Sequence, residues 1–169
     1  LLNEVKDREF IGYSYDGADA SFELLARRII GEIPRYISIN EYDVSVKKNS
    51  SGEIVSSAKA KLEVDGEKII CEGEGNGPVN ALDNAIRQNV DRLEKYSEYL
   101  KDLKLVDYKV RILNTGTEAI TRVSIESTDS KGKNWFTIGV STNIIDASFK
   151  ALIDSLDYKL FKDNAPASI

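Results

Sequence analysis

Two short segments of glycine and small polar residues precede predicted helices, and they are the best candidates for binding a ligand. The first is Gly73-Glu74-Gly75-Asn76-Gly77-Pro78, and the second is Gly139-Val140-Ser141-Thr142-Asn143. Glycine allows a ligand to approach the backbone closely, and Pro78 suits the first turn of a helix, where a missing N–H costs nothing. Because the N-terminus of a helix presents free N–H groups and partial positive charge, each segment could bind a carboxylate.

The same residues also have a purely structural explanation. In it the glycines only form tight turns, and Ser141, Thr142 or Asn143 only caps the helix that begins at Ile144. Two such segments at equivalent places favour binding over turn formation. Tyr108 stands alone at the start of a strand, where a core position fits it better than a ligand contact, and both alternatives stay open.

The two segments are equivalent because the chain contains an internal repeat with an offset of 66 positions. A shared offset across strands, turns and a helix indicates two copies of one structural unit, too few for a solenoid. Matching pairs include Tyr42 and Tyr108, Val44 and Val110, Gly66 and Gly132, Gly73 and Gly139, Ala81 and Ala147, and Ala85 and Ala151.

Each copy is predicted to form three strands followed by a helix. Alternating apolar residues indicate strands at 42–46, 58–64 and 68–72 in the first copy, and at 108–113, 122–127 and 135–138 in the second. Turns are predicted at Asp65-Gly66, Lys131-Gly132 and Asn114-Thr115-Gly116. The fold class is therefore α+β, with two pseudo-symmetric βββα repeats, an antiparallel sheet and helices on one face.

The remaining segments complete the predicted organisation. Residues 1–35 form a helical linker or hinge, residues 36–100 the first βββα repeat, residues 101–161 the second, and residues 162–169 a frayed tail. The chain begins at Leu1 within a helical pattern and without an initiator methionine, so we expect a catalytic domain to precede it in a longer protein. Trp135, Phe136, Phe149 and Cys71 are expected in the core.

Composition excludes several kinds of chemistry. The sequence contains no histidine, which rules out catalysis by histidine and histidine-ligated metals in these residues. A net charge of -5 without a basic stripe argues against nucleic acid and anionic membranes as partners. The sequence shows no apolar stretch of membrane-spanning length and no signal peptide. One cysteine, Cys71, cannot form an internal disulfide, and we expect a cytoplasmic location.

These motifs resemble the C-terminal regulatory domain shared by 2-isopropylmalate synthases and citramalate synthases. The resemblance rests on the segments 75–83, 105–110 and 139–148. Residues 12–25, which begin Gly-Tyr-Ser-Tyr-Asp-Gly, are similar to the linker of the citramalate branch, as is the segment 154–160. The resemblance therefore covers nearly the whole chain and favours the citramalate branch.

The resemblance implies the activity of a parent enzyme. Such an enzyme joins acetyl-CoA to a 2-keto acid, pyruvate in the citramalate branch, on a catalytic TIM barrel that requires a divalent metal. Neither the metal nor acetyl-CoA is expected to bind this chain, which contains no catalytic residues of the barrel and needs no cofactor of its own. The regulatory domain is implied to form a homodimer and to mediate feedback inhibition by a branched-chain amino acid.

The resemblance also implies which residues bind that effector. The first segment would meet its charged end, and apolar residues with the second segment would surround its side chain. The implied effector-binding residues are Gly75, Asn76, Gly77, Val79, Asn80, Leu105, Asp107, Tyr108, Ile112, Thr142, Asn143 and Ile144. Asn80 stands where the family often has an acidic residue, so Asp107 is a possible acceptor for the effector's ammonium group.

Isoleucine is the effector of the citramalate branch and leucine that of the isopropylmalate branch. The favoured interpretation is thus an isoleucine-sensing domain of a citramalate synthase. The alternatives are a leucine-sensing domain of a 2-isopropylmalate synthase and a stand-alone amino-acid-binding module. A hydrophobic pocket separates two ligands that differ in one methyl position by only about 1–3 kcal/mol, so the sequence does not distinguish the effectors.

Overall fold

A computed structural model of the chain describes residues 1–113 and 119–169, and these form the two βββα repeats that the sequence predicts. In chain order the elements are α1 (Leu2–Phe10), α2 (Asp19–Ile29), β1 (Ser38–Lys48), β2 (Ile54–Val64), β3 (Glu67–Gly75), α3 (Pro78–Arg87), a 3₁₀ helix (Val90–Tyr96), α4 (Ser97–Leu100), β4 (Lys104–Ile112), β5 (Thr121–Thr128), β6 (Asn134–Ser141) and α5 (Ile144–Lys162).

The chain divides into two compact units. The first-repeat unit contains Pro34–Lys101 and Asp163–Ile169, and the second-repeat unit contains Leu1–Ile33 and Asp102–Lys162. Each unit holds one three-stranded antiparallel sheet, in the order β1-β2-β3 or β4-β5-β6. The α+β class and the two βββα repeats are therefore confirmed. The turn predicted at Asn114-Thr115-Gly116 lies outside the described residues.

The predicted hairpin turn of the first-repeat unit is present. Asp65 and Gly66 both have positive φ, 52° and 80°, which is the geometry that a two-residue Asp-Gly turn adopts. Gly132 occupies the matching turn with φ of 74°. The repeat thus keeps the positive φ of the glycine, whereas Lys131 has no positive φ and the second turn connects Thr128 to Asn134 by a longer loop.

The helix of each unit covers only part of its sheet. In the first-repeat unit α3 packs chiefly on β3 and β2, and much less on β1. Ala58, Ala60 and Cys71 are buried beneath it, and Cys71 is therefore in the core as the sequence predicts. This burial raises the pKa of the Cys71 thiol. The first strand of each sheet keeps exposed apolar side chains, with Val46 57% and Ile112 71% exposed.

Glycine allows close contact between helix and sheet in both units. A Cβ on Gly73 would lie 2.6 Å from the Cα of Ala85, and one on Gly139 would lie 2.9 Å from the backbone nitrogen of Ala151. Real Cβ atoms do not come this close to backbone, so both glycines serve the packing of the helix on the last strand. Their shared offset of 66 reflects one packing requirement that is met twice.

The second predicted helix of the linker is packed rather than free. Ala20, Leu24 and Leu25 of α2 are buried, because α2 lies against α5 and β6. Ser21 Oγ accepts a hydrogen bond from the Ile138 backbone and donates one to Asp154. By contrast, α1 has no buried residue.

The tail forms hydrogen bonds with the first-repeat unit, whereas the sequence predicts that residues 162–169 are frayed. The backbone N–H of Ser168 donates to Arg35, and its hydroxyl accepts from the Asp65 N–H. The Tyr96 hydroxyl donates to the carbonyl of Pro166, and Ala165 is buried. Because these contacts join the tail to residues distant in sequence, the composition of the tail does not reveal them.

Other core expectations have mixed outcomes. Trp135 and Phe149 are buried, whereas Phe136 is only half-buried.

Within residues 1–113 and 119–169, no helix is both long and apolar enough to cross a membrane.

Candidate functional site

The first candidate segment is closed by two asparagine side chains of α3. Asn80 Oδ1 accepts a hydrogen bond from the Asn76 backbone N–H at 3.2 Å. Asn84, one turn later, donates from Nδ2 to the carbonyl of Glu74 at 2.8 Å. Asn84 is not among the residues expected from the sequence, although its spacing of four from Asn80 places both on one helix face. The pair fixes the segment between β3 and α3.

The two glycines of this segment have different roles, and neither depends on positive φ. A Cβ on Gly75 would lie 2.7 Å from the backbone nitrogen of Ala81, so Gly75 permits close approach of α3. Gly77 is extended, with φ of -153° and ψ of 169°, and a Cβ there would meet nothing within 4 Å. The space beside Gly77 is therefore open to a ligand.

The N-terminus of α3 retains its capacity to bind an anion. Gly77 at the N-cap provides no side-chain cap, and the first turn contains no acidic residue. Pro78 has no N–H, which leaves the N–H groups of Val79 and Asn80 at the end of the helix. The partial positive charge of the helix favours a carboxylate at this place.

The second candidate segment differs because it is capped. Asn143 Oδ1 accepts hydrogen bonds from the backbone N–H groups of Ile145 and Asp146, at 2.8 and 3.1 Å. Asp146 also places an acidic side chain in the first turn of α5. Asn143 thus caps α5, as the structural explanation of this segment predicts. Thr142 and Ile144, on either side of it, are exposed. The two segments are equivalent in the repeat but differ in their capacity to bind an anion.

A β-bulge aligns three of the expected effector residues on one face of β4. The register of β4 with β5 shifts between Leu105 and Asp107. As a result Leu105 pairs with Ser127, Tyr108 with Ile125 and Ile112 with Thr121, and these three partners are all buried on the helix side of the sheet. Simple alternation would have placed Leu105 and Tyr108 on opposite faces. The same shift occurs between Ile39 and Glu41 in the first-repeat unit.

Tyr108 reaches the start of α5. Its hydroxyl lies 3.1 Å from Ser148 Oγ, and Ser148 donates to the carbonyl of Ile144 at 2.6 Å. Tyr108 is half-buried, so its ring is accessible on one side. Ser148 is not among the effector residues expected from the sequence. Its signal was a polar residue at the position where the first repeat has Leu82.

Asp107, which is also among the expected effector residues, lies on the other face of β4. It pairs with Glu126 across the sheet, on the face opposite to Tyr108. Its Oδ2 lies 3.3 Å from Lys109 Nζ, and its Oδ1 accepts from the Tyr108 backbone N–H. The bulge between Leu105 and Asp107 moves this carboxylate to the other side of the strand, away from the apolar face.

Two cavities lie elsewhere in the units. In the first-repeat unit, a cavity of about 790 Å³ is lined by polar sheet residues that include Asp43, Ser45 and Glu72. In the second-repeat unit, one of about 340 Å³ is lined by basic residues that include Arg111 and Arg122. Neither contains an expected effector residue.

Two successive βββα units, each with a segment of glycine and small polar residues before its helix, define an α+β domain built as an internal repeat. The LeuA allosteric (dimerisation) domain family matches residues 16–160. The chain belongs to this family.

Several relatives are similar over two thirds or more of the chain, within rounding. The (R)-citramalate synthase of Geobacter sulfurreducens is 45% identical over 165 residues, which are 96% of the chain and 30% of that protein. The (R)-citramalate synthase of Aquifex aeolicus is 45% identical over 166 residues, 96% of the chain and 31% of that protein. The 2-isopropylmalate synthase of Pseudoalteromonas atlantica is 33% identical over 112 residues, 66% of the chain and 20% of that protein. The chain thus spans about a third or less of these relatives.

Proposed function

We propose that this chain is an allosteric regulatory domain that binds a branched-chain amino acid, with isoleucine as the favoured effector. The observation that carries the proposal is the family match over residues 16–160. The (R)-citramalate synthases that match 96% of the chain support the citramalate branch. Isoleucine follows from the resemblance to that branch.

The effector's carboxylate is assigned to the N-terminus of α3. The N–H groups of Val79 and Asn80 are the donors, and the open side of Gly77 allows the ligand to approach. The absence of an acidic residue from the first turn of α3 avoids repulsion. Gly75 and Asn76 support this segment through the hydrogen bond from Asn76 to Asn80.

For the second-repeat unit by itself, the resemblance implies apolar contacts to the effector from the face of β4 that carries Leu105, Tyr108 and Ile112, with Ile144 and Thr142 at the start of α5. Ile112 and Ile144 are 71% and 43% exposed, so a ligand would remove apolar surface from water. Burial of apolar surface contributes about 25 cal/mol per Å². Asn143 supports this segment as the cap of α5.

The whole protein is proposed to be a citramalate synthase that condenses acetyl-CoA with pyruvate. A separate catalytic barrel domain would bind the divalent metal and acetyl-CoA, and residues 1–35 would connect to it. Feedback inhibition then requires that effector binding changes the activity of the catalytic domain. Because effector and substrates bind different domains in this proposal, loss of effector binding should leave turnover intact.

A homodimer is also proposed. The exposed apolar side chains of the first strands, among them Val46 and Val110, offer surface that a second copy could cover. Most soluble homo-oligomers have two-fold symmetry, and the family is described by its dimerisation. Light scattering of the 169-residue chain should return the mass of a dimer at micromolar concentration. A monomer mass at high micromolar concentration contradicts the dimer.

A leucine-binding domain of a 2-isopropylmalate synthase is the second candidate. It is favoured by the similarity to the Pseudoalteromonas atlantica 2-isopropylmalate synthase over 66% of the chain. The two effectors differ in the position of one methyl group, which a hydrophobic pocket discriminates by about 1–3 kcal/mol.

Calorimetric titration with isoleucine, leucine and valine tests the proposal and separates the candidates. The expected order of affinity places isoleucine first, and a first place for leucine supports the second candidate. Effector at a hundredfold over Kd should stabilise the fold by about 2.7 kcal/mol. For a chain of this size the melting temperature rises by about 5–10 °C. No binding heat and no melting shift with millimolar concentrations of all three would refute effector binding.

A further inference from the structure

We propose that the pocket between residues 14–18 and strands β4 and β5 of the second-repeat unit binds a phosphate group. The pocket has a volume of about 340 Å³ and is lined by Ser14, Asp16, Lys109, Arg111, Arg122 and Ser124, among others. None of these residues belongs to the proposed effector site, so this site is independent of the proposed function.

The central observation is a pair of like charges placed directly opposite each other. Arg111 in β4 pairs with Arg122 in β5 across the antiparallel ladder. Like charges at directly opposed positions destabilise a sheet. Burial, together with the charge of Arg111, lowers the pKa of Arg122. An anion between the two guanidinium groups would remove this repulsion.

The fold itself does not require the arginine pair. The equivalent cross-strand pair in the first-repeat unit is Ser45 with Ser57, in the same register between β1 and β2. Their hydroxyl groups lie 2.8 Å apart and form a hydrogen bond. The same sheet position is thus neutral and satisfied in one repeat, and doubly cationic in the other. This contrast points to a ligand rather than to a structural role.

The two arginines have donors available to a ligand. Arg122 is oriented by its Nε, which donates to the carbonyl of Gly12 at 2.7 Å. No described residue forms an ion pair or hydrogen bond with the Arg111 guanidinium, and none accepts from the Nη atoms of Arg122. Each guanidinium presents a planar fork of donors that matches oxyanions.

The arrangement favours phosphate over carboxylate. A carboxylate offers two coplanar oxygens, which satisfy one guanidinium in the bidentate manner. Here two guanidinium groups on neighbouring strands stand with the hydroxyls of Ser14 and Ser124, which suits the three terminal oxygens of a phosphate. Lys109 adds charge, although Asp107 lies 3.3 Å from it. The volume accommodates a phosphate that carries an organic group, and Asp16 would accept a hydrogen bond from a hydroxyl of that group.

The phosphate group could belong to inorganic phosphate or to a phosphate monoester. The 169-residue chain should therefore be titrated calorimetrically with inorganic phosphate, with glycerol 3-phosphate and with acetate, at constant ionic strength. Tighter binding of glycerol 3-phosphate assigns the site to a monoester, and equal or weaker binding assigns it to free phosphate. If acetate binds as tightly as both phosphates, or if neither phosphate gives a binding heat, the proposal is overturned.

Arg111→Gln provides the matched variant, because Arg111 is exposed and its replacement leaves the core unchanged. We expect its phosphate affinity to fall at least tenfold, while its melting temperature in phosphate-free buffer of low salt rises because the repulsion with Arg122 is removed. Lys47→Gln, which replaces an exposed cation of β1 outside the pocket, should bind phosphate unchanged. Unchanged phosphate binding by Arg111→Gln overturns the proposal, and isoleucine binding by this variant should equal that of the original chain.

Discussion

Gly139 and Ala151 lie so close together that a side chain at the glycine has no room. A Cβ on Gly139 would stand 2.9 Å from the backbone nitrogen of Ala151 and closer still to the carbonyl oxygen of Ala147. Both atoms belong to the backbone of α5, so the helix as a whole would have to move. The contact fixes the distance between α5 and β6, and thereby positions the Tyr108–Ser148 pair.

Gly139→Ala should therefore destabilise the fold by about 2–3 kcal/mol, because overpacking against backbone cannot be relieved by a rotamer change. Urea unfolding measures this loss. The control is Gly77→Ala, which adds the same methyl group in open space at an extended residue and should change the stability by less than about 0.5 kcal/mol. Equal effects of the two substitutions would contradict the packing argument.

Tyr108→Ala should weaken isoleucine binding at least tenfold and leave the dimer assembled, because it removes one wall of the proposed site. Tyr108→Phe keeps the ring and loses only the contact with Ser148 Oγ, so its affinity should change much less. Calorimetry and light scattering measure the two properties. A folded Tyr108→Ala chain that binds isoleucine as tightly as the original removes Tyr108 from the site.

Lys159→Ala should destabilise the fold by about 3–5 kcal/mol, since it leaves two acidic groups without their buried cation. Lys159 Nζ lies 2.9 Å from Asp129 Oδ2 and 3.3 Å from Asp102 Oδ1, and its side chain is only 2% exposed. Lys150→Ala breaks an exposed pair with Asp146 and should cost about 0–1 kcal/mol. Urea unfolding compares the two, and a similar small loss for both would contradict the importance of the buried group.

Asp157 should make the fold less stable as pH rises from about 4 to about 6. Burial raises the pKa of its carboxyl to about 6, although the Arg28 guanidinium 2.8 Å away opposes the rise and Asp154 adds to it. The folded pKa thus exceeds the unfolded value of about 3.9, so the folded chain binds more protons in this range. This contribution to stability is fully present below pH 4 and is lost as pH passes 6.

Asp157→Asn checks this prediction, because asparagine cannot ionise. The stability of the variant, measured by urea unfolding at several pH values, should fall less between pH 4 and 6 than that of the original chain. The difference in slope should amount to roughly 2 kcal/mol over the interval. Parallel pH profiles for the two chains would show that Asp157 titrates normally.

The sequence by itself determined the repeat and its elements. Period-two alternation, the Asp65-Gly66 turn and the shared glycines predicted two βββα units, because these signals are local and each follows from backbone geometry. The candidate segment at Gly75-Asn76-Gly77 was recognised in the same way, from residues adjacent in the chain.

Only the tertiary structure decided what depends on distant contacts. The bulge between Leu105 and Asp107 turns Leu105 onto the face of Tyr108 and moves Asp107 off it, which alternation alone could not predict. The hydrogen bond between the Asp65 backbone and Ser168 likewise joins residues that are 103 positions apart. The opposition of Arg111 and Arg122 is a matter of strand register, which pairing across the sheet sets and the spacing along the chain does not.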